Sequence, residues 1–340
     1  MLHNILGSIC ILVVLIGHSN LLNAATWRYA HEENKGDVQD VFAVAFKEHI
    51  EKNSEHKIQI FRFGELGESD DIMEQTQSGI LQFVNQSPGF TGALIPEAQI
   101  FFIPYLMPTD KDAVVKFFRT SKAINKDFVD LYADKGLALL KMYPEGEMVV
   151  TVDEPVTRPE DFNGKKIRVM TNPLLSATYE AFGATPTPLP WGEVYGALQT
   201  NMIQGQENPI FWIESGGLYE VSPNLVFTRH GWFTTAMMAN QDFYKGLSKK
   251  EQKMIKAASD HAFEQVLQHI DGLAESALAR IQKASDKVTV TRLNEEQIAL
   301  FKEKAPAVEK TFIEMTGKSG EKLLKQFKQD LKQVSKKTKD

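Results

Sequence analysis

The chain has 340 residues, a formal net charge of −6 and a hydrophobic fraction of 43%. These figures exclude disordered and collagen-like chains, and the acidic balance offers no basic footprint, so we expect no nucleic-acid partner. The single cysteine, Cys10, excludes a scaffold held by disulfides. At roughly 150 residues per domain, the length predicts two domains with a cleft or an interface between them.

The first 25 residues contain no Lys, Arg, Asp or Glu, and residues 9–16 form an apolar run that is short for a membrane span. Small residues at positions 24 and 25 suit a signal peptidase. We therefore predict that residues 1–25 are a cleaved signal peptide and that the mature protein is periplasmic. The lack of a basic residue before the apolar run leaves an uncleaved anchor as the alternative. Cleavage removes Cys10, and with it thiol catalysis and cysteine-bound zinc.

Short apolar runs alternate with helical spacing along the first part of the mature chain. The pattern predicts strands over 26–30, 57–63 and 80–84, and helices over 38–50 and 70–78. Alternating strands and helices are typical of an α/β domain with a largely parallel sheet covered on both faces.

The pattern changes around residues 141–157, where prolines and glycines separate two extended stretches, 137–142 and 148–152. We interpret this region as the first crossing between domains. A second α/β segment follows it, and a strand near 234–239 would return the chain to the first domain. The second segment is predicted to contain strands over 165–170 and 203–206 and helices over 174–182 and 193–199.

Residues 248–251, Ser-Lys-Lys-Glu, have the form of a capping box and open a long helical pattern. Apolar residues continue on one stripe as far as Ile281, with Gly272 as the weak point. We predict a long helix that bridges both domains. Further helical stretches follow, and the apolar face of the last is expected to pack on its own domain. We assign lobe 1 to residues 26–147 plus about 234–272, and lobe 2 to 148–233 plus about 273–340.

The sequence contains none of the common catalytic motifs. It has no His pair of a metalloprotease helix, no nucleophile elbow, no phosphate loop and no dinucleotide fingerprint. We therefore predict a binding protein and not an enzyme, without cofactor, catalytic residues or a resident metal.

Two segments carry a specific resemblance. Residues 161–170 read D-F-N-G-K-K-I-R-V-M, and P-L-P-W-G-E-V-Y-G-A-L-Q-T at 188–200 leads into G-Q-E-N-P at 205–209. Together they resemble the solute-binding subunits of tripartite ATP-independent periplasmic (TRAP) transporters, the DctP-type family, over nearly the whole mature chain. The resemblance implies a two-lobe periplasmic-binding-protein-like fold, each lobe a mixed, mostly parallel sheet flanked by helices. It also implies a separate membrane permease as partner; we expect a monomer, with a dimer as the alternative.

The resemblance assigns the ligand's carboxylate to Arg168 and Asn208, and the ligand's body to Trp191. An arginine suits this role because its planar fork of donors matches a carboxylate. The residues alone leave other roles open, since Arg168 could form a structural salt bridge and Trp191 could fill the seam between domains. Glu207, beside Asn208, is either ligand-facing or structural, and an oxygen-ligated ion at this pair stays open.

The resemblance also suggests ligand contacts from Glu32, Ser87, Phe90 and Thr171. At the domain crossing, sugar-acid binders of the family carry a second arginine where this chain has Met148. Its absence argues against a dicarboxylate or a sialic-acid-like ligand. We therefore expect a small organic acid with one recognised carboxylate and a less polar body, such as a monocarboxylate, an oxo acid or an aromatic acid.

The predicted mechanism is capture in a cleft followed by hinge closure, which presents a composite surface to the permease. A sensory module that signals to a membrane receptor, or a binder of a non-carboxylate solute, would use the same fold. An exported enzyme would need a catalytic group beside Arg168.

Overall fold

The computed structural model describes residues 24–335. All but the last two residues of the predicted signal peptide lie outside this range. The strands are β1 (Thr26–Ala30), β2 (Lys57–Phe61), β3 (Phe83–Gln86), β4 (Leu137–Val152), β5 (Lys166–Val169), β6 (Thr185–Pro188), β7 (Gly205–Pro209), β8 (Asn224–Phe227), β9 (Trp232–Asn240) and β10 (Thr289–Arg292).

The helices before the second α/β segment are α1 (Val38–Asn53), α2 (Ser69–Gln77), α3 (Pro88–Thr91), α4 (Lys111–Thr120) and α5 (Phe128–Ala133). Those of the second segment are α6 (Pro173–Phe182), α7 (Val194–Gln199), α8 (Ile210–Ser215) and α9 (Leu218–Val221). The remaining helices are α10 (Gln241–Gly246), α11 (Lys249–His269), α12 (Leu273–Ala284), α13 (Glu295–Lys302) and α14 (Ala305–Val334). Within residues 24–335, none of the helices is both long and apolar enough to cross a membrane.

The strands form one mixed sheet in the order β2-β1-β3-β9-β4-β7-β5-β6, to which β8 is added on β4 and β10 on β8. Strand β1 runs parallel to β2 and β3, and β5 runs parallel to β6 and β7. Strands β9 and β4 are antiparallel to their neighbours and join the two parallel groups. The predicted α/β class with mostly parallel strand groups is confirmed.

Strand β4 runs through both halves of the sheet. Its residues Leu137–Glu147 pair with β9, and Met148–Val152 pair with β7. The sequence predicted two separate stretches here, and that was wrong: a register irregularity between Pro144 and Gly146 lets one strand continue. We call β1–β3, β9 and residues 137–147 the first lobe, and β5–β8, β10 and residues 148–152 the second lobe. The boundaries assigned from the sequence remain a prediction.

The predicted long helix after Ser248 is two helices, so the expectation of one continuous helix was wrong. The capping box at Ser248 is present, but α11 ends at His269 and α12 begins at Leu273. Gly272 lies between them with a φ of 70°, a left-handed conformation that glycine adopts without steric penalty. Helix α11 packs against α1 in the first lobe and α12 against α8 in the second. The break therefore lies where the chain passes between lobes.

Helix α14 packs its apolar face on the body of the chain, mostly on residues of the range that the sequence assigned to lobe 1, and not on lobe 2 alone as expected. The ring of Phe327 lies 5.4 Å from that of Phe101 and 4.6 Å from that of Phe117. The buried carboxylate of Asp330 accepts hydrogen bonds from the Ser121 hydroxyl (2.7 Å) and from the Ala123 backbone N–H (2.9 Å). These contacts fix the last helix to a segment more than 200 residues earlier in the chain.

Candidate functional site: a cleft between the lobes

The carboxyl ends of four strands meet between the lobes, and several of the predicted ligand residues lie at or just after these ends. Strand β1 ends just before Glu32, β3 ends before Ser87, β5 carries Arg168 near its end, and β7 carries Asn208. In open α/β sheets, ligands bind in the crevice outside the carboxyl ends of the strands. The topology therefore brings side chains from both lobes to one cleft.

Arg168 is the most deeply buried cation of this cleft, with 2% of its surface exposed. Its Nε and Nη2 donate to the carbonyl oxygen of Leu189 at 3.0 and 2.8 Å, which fixes the plane of the guanidinium. These two bonds do not use Nη1. Burial lowers the pKa of Arg168 to about 10, although nearby Glu207, Glu68 and Glu32 oppose that shift. The side chain stays charged at neutral pH, and it is oriented without a direct carboxylate partner among residues 24–335.

Asn208 lies on β7, one strand from β5. Its Nδ2 donates to Oε1 of Gln206, and Nε2 of Gln206 donates to the hydroxyl of Thr151 at 3.1 Å. This chain of hydrogen bonds orients the Asn208 amide. Because the bond to Gln206 fixes the amide nitrogen, the direction of the amide oxygen is fixed as well. The three side chains are buried.

Glu207 points to the other face of β7. Its Oε2 accepts from the Tyr179 hydroxyl at 2.8 Å and contacts Nε2 of His230 at 2.6 Å. These contacts favour the structural role for Glu207. Across residues 24–335, no three His, Cys, Asp or Glu side chains form a group that could hold a metal ion.

Glu32 and Ser87 come together at the edge of the first lobe. The backbone N–H of Ser87 donates to Oε2 of Glu32 at 2.9 Å, and the side chains of Ser69 and Gln86 lie close enough to lower the pKa of Glu32. Among residues 24–335, none donates a hydrogen bond of normal geometry to the buried Oε1. Burial raises the pKa of Glu32 to about 8. The cleft thus contains a buried carboxyl group that a cationic ligand would help to ionise.

Glu68, at the start of α2, was not among the predicted site residues. Burial raises its pKa, and the backbone N–H of Gly192 and the charge of Arg168 oppose that shift. A Cβ atom placed on Gly192 would lie 2.5 Å from Oε1 of Glu68, so the two lobes touch here. The only sequence signal was its position directly after the Gly64–Gly67 turn, and nothing local connects it with Arg168.

The aromatic side chains of the cleft come from the second lobe. Trp191 is half-buried, and its ring packs edge-on against Trp212 with ring centres 4.6 Å apart. Trp212 was also missed, although it follows Asn208 by four residues. Its Nε1 donates to Oε1 of Glu33 in the first lobe.

The other predicted residues fall into two groups. Phe90 and Thr171 lie on segments that meet across the cleft, since Nδ2 of Asn172 approaches the carbonyl oxygen of Pro88 at 3.4 Å. Met148 pairs with Pro209, while its neighbour Val149 pairs with Asn208. Because side chains alternate along a strand, Met148 lies on the face opposite to Asn208 and apart from the cleft residues.

Residues 29–315 match the family model described as bacterial extracellular solute-binding protein, family 7, DctP. The chain belongs to this family. It is 69% identical to the ectoine-binding periplasmic protein TeaA of Halomonas elongata over 332 residues, which are 98% of this chain and 97% of TeaA. It is 55% identical to the ectoine/5-hydroxyectoine-binding periplasmic protein UehA of Ruegeria pomeroyi over 325 residues, 96% of each chain.

Solved structures agree with this assignment. The high-resolution structure of the periplasmic ectoine-binding protein from the Halomonas elongata TeaABC TRAP transporter gives a TM-score of 0.90 at 73% identity, over 91% of this chain and 99% of that chain. The structure of TeaA in the apo state gives a TM-score of 0.81 over the same shares. The predicted family and periplasmic location are confirmed, and the relatives are binding proteins of transporters rather than enzymes.

Proposed function

We propose that this protein captures ectoine, or a closely similar cyclic amidine carboxylate, and delivers it to the membrane permease of a TRAP transporter. The proposal rests on the charge arrangement of the cleft, where one oriented guanidinium faces buried carboxyl groups of the other lobe. The names of TeaA and UehA support the same ligand class. The sequence predicted a small organic acid, and the present proposal narrows that class to acids whose body carries a positive charge.

The carboxylate of the ligand would bind to Arg168. The Leu189 carbonyl already holds Nε and Nη2, so Nη1 and the outer edge of the guanidinium supply the contact. A charge-assisted hydrogen bond in a buried site is stronger than one between neutral groups. Asn208, oriented by Gln206, would add an amide contact to the same carboxylate.

The amidinium would face Glu32. An unpaired carboxylate is unfavourable in a buried site, which is why the pKa of Glu32 rises to about 8 in the ligand-free cleft. A ligand cation reverses this effect and lets Glu32 ionise, so binding of the zwitterion releases a proton from Glu32. A ligand with a carboxylate but no cation would leave Oε1 of Glu32 without a partner.

Trp191 would pack on the ligand ring, since a flat aromatic face provides apolar contact and can also attract a cation.

The two lobes would close around the bound ligand, and this closed form would dock on the permease. A ligand favours the closed state only through its greater affinity for it.

Titration calorimetry with ligand-stripped protein tests the proposal. Ectoine should bind to the wild type, and Arg168→Ala should weaken binding by roughly 30-fold to 1000-fold or more, since removing one partner of a buried charge pair costs about 2 to 5 kcal/mol. The matched control is Lys166→Ala, an exposed cation on the same strand, which should bind as the wild type does. Failure of the wild type to bind ectoine, or equal binding by Arg168→Ala, would contradict the proposal.

A further inference from the structure

Two histidine side chains meet at the edge of the seam between α1 and α11, in the first lobe. His49 lies on α1 and His261 on α11, and their ring centres are 5.3 Å apart, with the ring planes tilted by 38°. His49 is half-buried and His261 is exposed. The pair is therefore open to solvent, and it takes no part in the proposed ligand cleft.

The packing of the two helices fixes where these histidines stand. Helix α11 packs against α1 and includes two fully buried alanines, Ala258 and Ala262, and small residues in a packed face let helices approach closely. His261 directly precedes Ala262, and His49 directly precedes the fully buried Ile50. Each histidine thus lies at the rim of a packed face, so its backbone is held while its ring reaches solvent.

The ring nitrogens of these two histidines have no partner in the protein, unlike those of the buried histidines. Three buried histidines hold Nε2 against a carboxylate: His31 against Asp40, His56 against Glu251 and His230 against Glu207. Among residues 24–335, none forms a hydrogen bond or an ion pair with a ring nitrogen of His49 or His261. Their lone pairs therefore remain available to a ligand from solution.

The surroundings favour the neutral form of His49. Burial, then the neighbouring His261, then the charge of Lys52 lower the pKa of His49. Neutral imidazole is the form that coordinates a metal ion. Two imidazoles that repel each other when both are protonated can donate their lone pairs to one shared cation.

The separation of the rings matches the geometry of a tetrahedral ion. With Zn–N bonds of about 2.0 to 2.1 Å and tetrahedral angles, two imidazoles on one zinc ion have ring centres about 5.2 Å apart. The right angle of a square-planar ion would bring the ring centres to about 4.5 Å. The observed 5.3 Å agrees with the tetrahedral case.

The acidic side chains beside His261 do not complete the coordination. Asp260 forms a salt bridge with Lys141, and Glu264 forms one with Arg119. Water would therefore supply the other ligands. Such a site exchanges its ion readily, unlike the closed four-ligand sites of structural zinc.

We propose that His49 and His261 form a second binding site on this protein, which takes a divalent transition-metal ion of tetrahedral geometry, with zinc as the ion that fits. The bound ion joins α1 to α11 and leaves the ligand cleft unchanged. The sequence predicted no resident metal, because neither histidine has a partner at metal-binding spacing within its own helix. The pair forms only when the two helices pack. This site does not depend on the proposed binding of ectoine.

The experiment is calorimetric titration of purified, untagged, chelator-treated protein with zinc chloride, together with melting temperatures at rising zinc concentration. We expect one zinc ion per chain and a melting temperature that rises with zinc concentration. His49→Gln and His261→Ala should each weaken zinc binding by at least about tenfold. The matched control is His269→Ala, a half-buried position on α11, which should bind zinc as the wild type does.

His261→Ala decides the matter if His49→Gln fails to fold, because position 261 is exposed. Ectoine affinity should be the same in the wild type and in all three variants, which shows that the fold is intact. A wild type that binds no zinc, or zinc binding that is equal in the wild type and His261→Ala, would overturn the site and leave the proposed function intact. Normal zinc binding by a wild type that binds no ectoine would instead reject the proposed function and leave this site standing.

Discussion

The carbonyl oxygen of Leu189 accepts two hydrogen bonds from Arg168, at 3.0 and 2.8 Å, and so holds a buried cation in place without neutralising it. A carboxylate in that position would quench the charge. A carbonyl leaves the charge for an anionic ligand while the protein fixes the side chain's direction. The carboxylate of the proposed ligand would therefore meet a cation that the protein has already oriented.

This arrangement predicts that a lysine cannot replace Arg168. Arg168→Lys keeps the charge but loses the planar fork, so it cannot bond to Leu189 and to a carboxylate in the same plane. We expect ectoine affinity to fall roughly 10- to 100-fold, by ~1.4 to 2.8 kcal/mol, measured by calorimetry. Wild-type affinity in Arg168→Lys would show that charge alone is recognised.

The raised pKa of Glu32 predicts how the stability of the ligand-free protein depends on pH. The unfolded chain ionises Glu32 near pH 4.5 and the folded chain at about 8, so the folded state binds more protons between these values. The free energy of unfolding should fall across that window by up to about 1.4 kcal/mol per pH unit from this group. Glu32→Gln should therefore show a smaller drop in melting temperature between about pH 5 and about pH 8 than the wild type. An identical drop in both proteins would contradict the raised pKa of Glu32. The control is Glu48→Gln, at an exposed position, which should show the same drop as the wild type.

The contact between Gly192 and Glu68 predicts that a single methyl group impairs closure. Because a Cβ at Gly192 would lie 2.5 Å from Oε1 of Glu68, the Glu68 carboxylate must withdraw from the cleft. We expect Gly192→Ala to weaken ectoine binding by about threefold to tenfold, since one polar contact is displaced. Gly196→Ala, where a Cβ meets no atom within 4 Å, should bind as the wild type does. Equal affinities of the two variants would rule out the contact's role.

The attachment of α14 predicts a stability effect without a binding effect. Asp330→Ala leaves the Ser121 hydroxyl and the Ala123 N–H without their acceptor. The loss should lower the free energy of unfolding by about 1 to 3 kcal/mol in urea, with ectoine affinity unchanged below the transition. Lys332→Ala, an exposed position on the same helix, should have the stability of the wild type. Normal stability in Asp330→Ala would mean that α14 is held by its apolar face alone.

The sequence predicted the elements that carry strong local patterns. Helix α1, strand β5 and the capping box at Ser248 appear where the spacing placed them. The break at Gly272 was missed because the apolar stripe continues through it, and the continuity of β4 was missed because Pro144 and Gly146 normally end a strand. In both cases the structure that forms is set by contacts with distant parts of the chain and differs from the one that the local pattern predicts.

The residues of the candidate site also divide into those that a local motif predicted and those that it did not. Arg168 and Asn208 lie in the motifs that carry the family resemblance, and the structure brings both to the cleft. Glu68 and Trp212 were missed because their importance comes from partners 124 and 179 residues away in the chain, Gly192 and Glu33. Met148 was chosen from a family position, and the pleat of β4 turns it away from Asn208. Contacts between lobes cannot be inferred from local spacing.

The most direct test of the central claim is a crystal structure of the protein with ectoine bound. The account predicts the ligand between the lobes, with its carboxylate within hydrogen-bonding distance of Arg168 Nη1 and Asn208, and its amidine nitrogen facing Oε1 of Glu32. A ligand in the reversed orientation, with the amidine toward Arg168, or a ligand bound outside this cleft would contradict it.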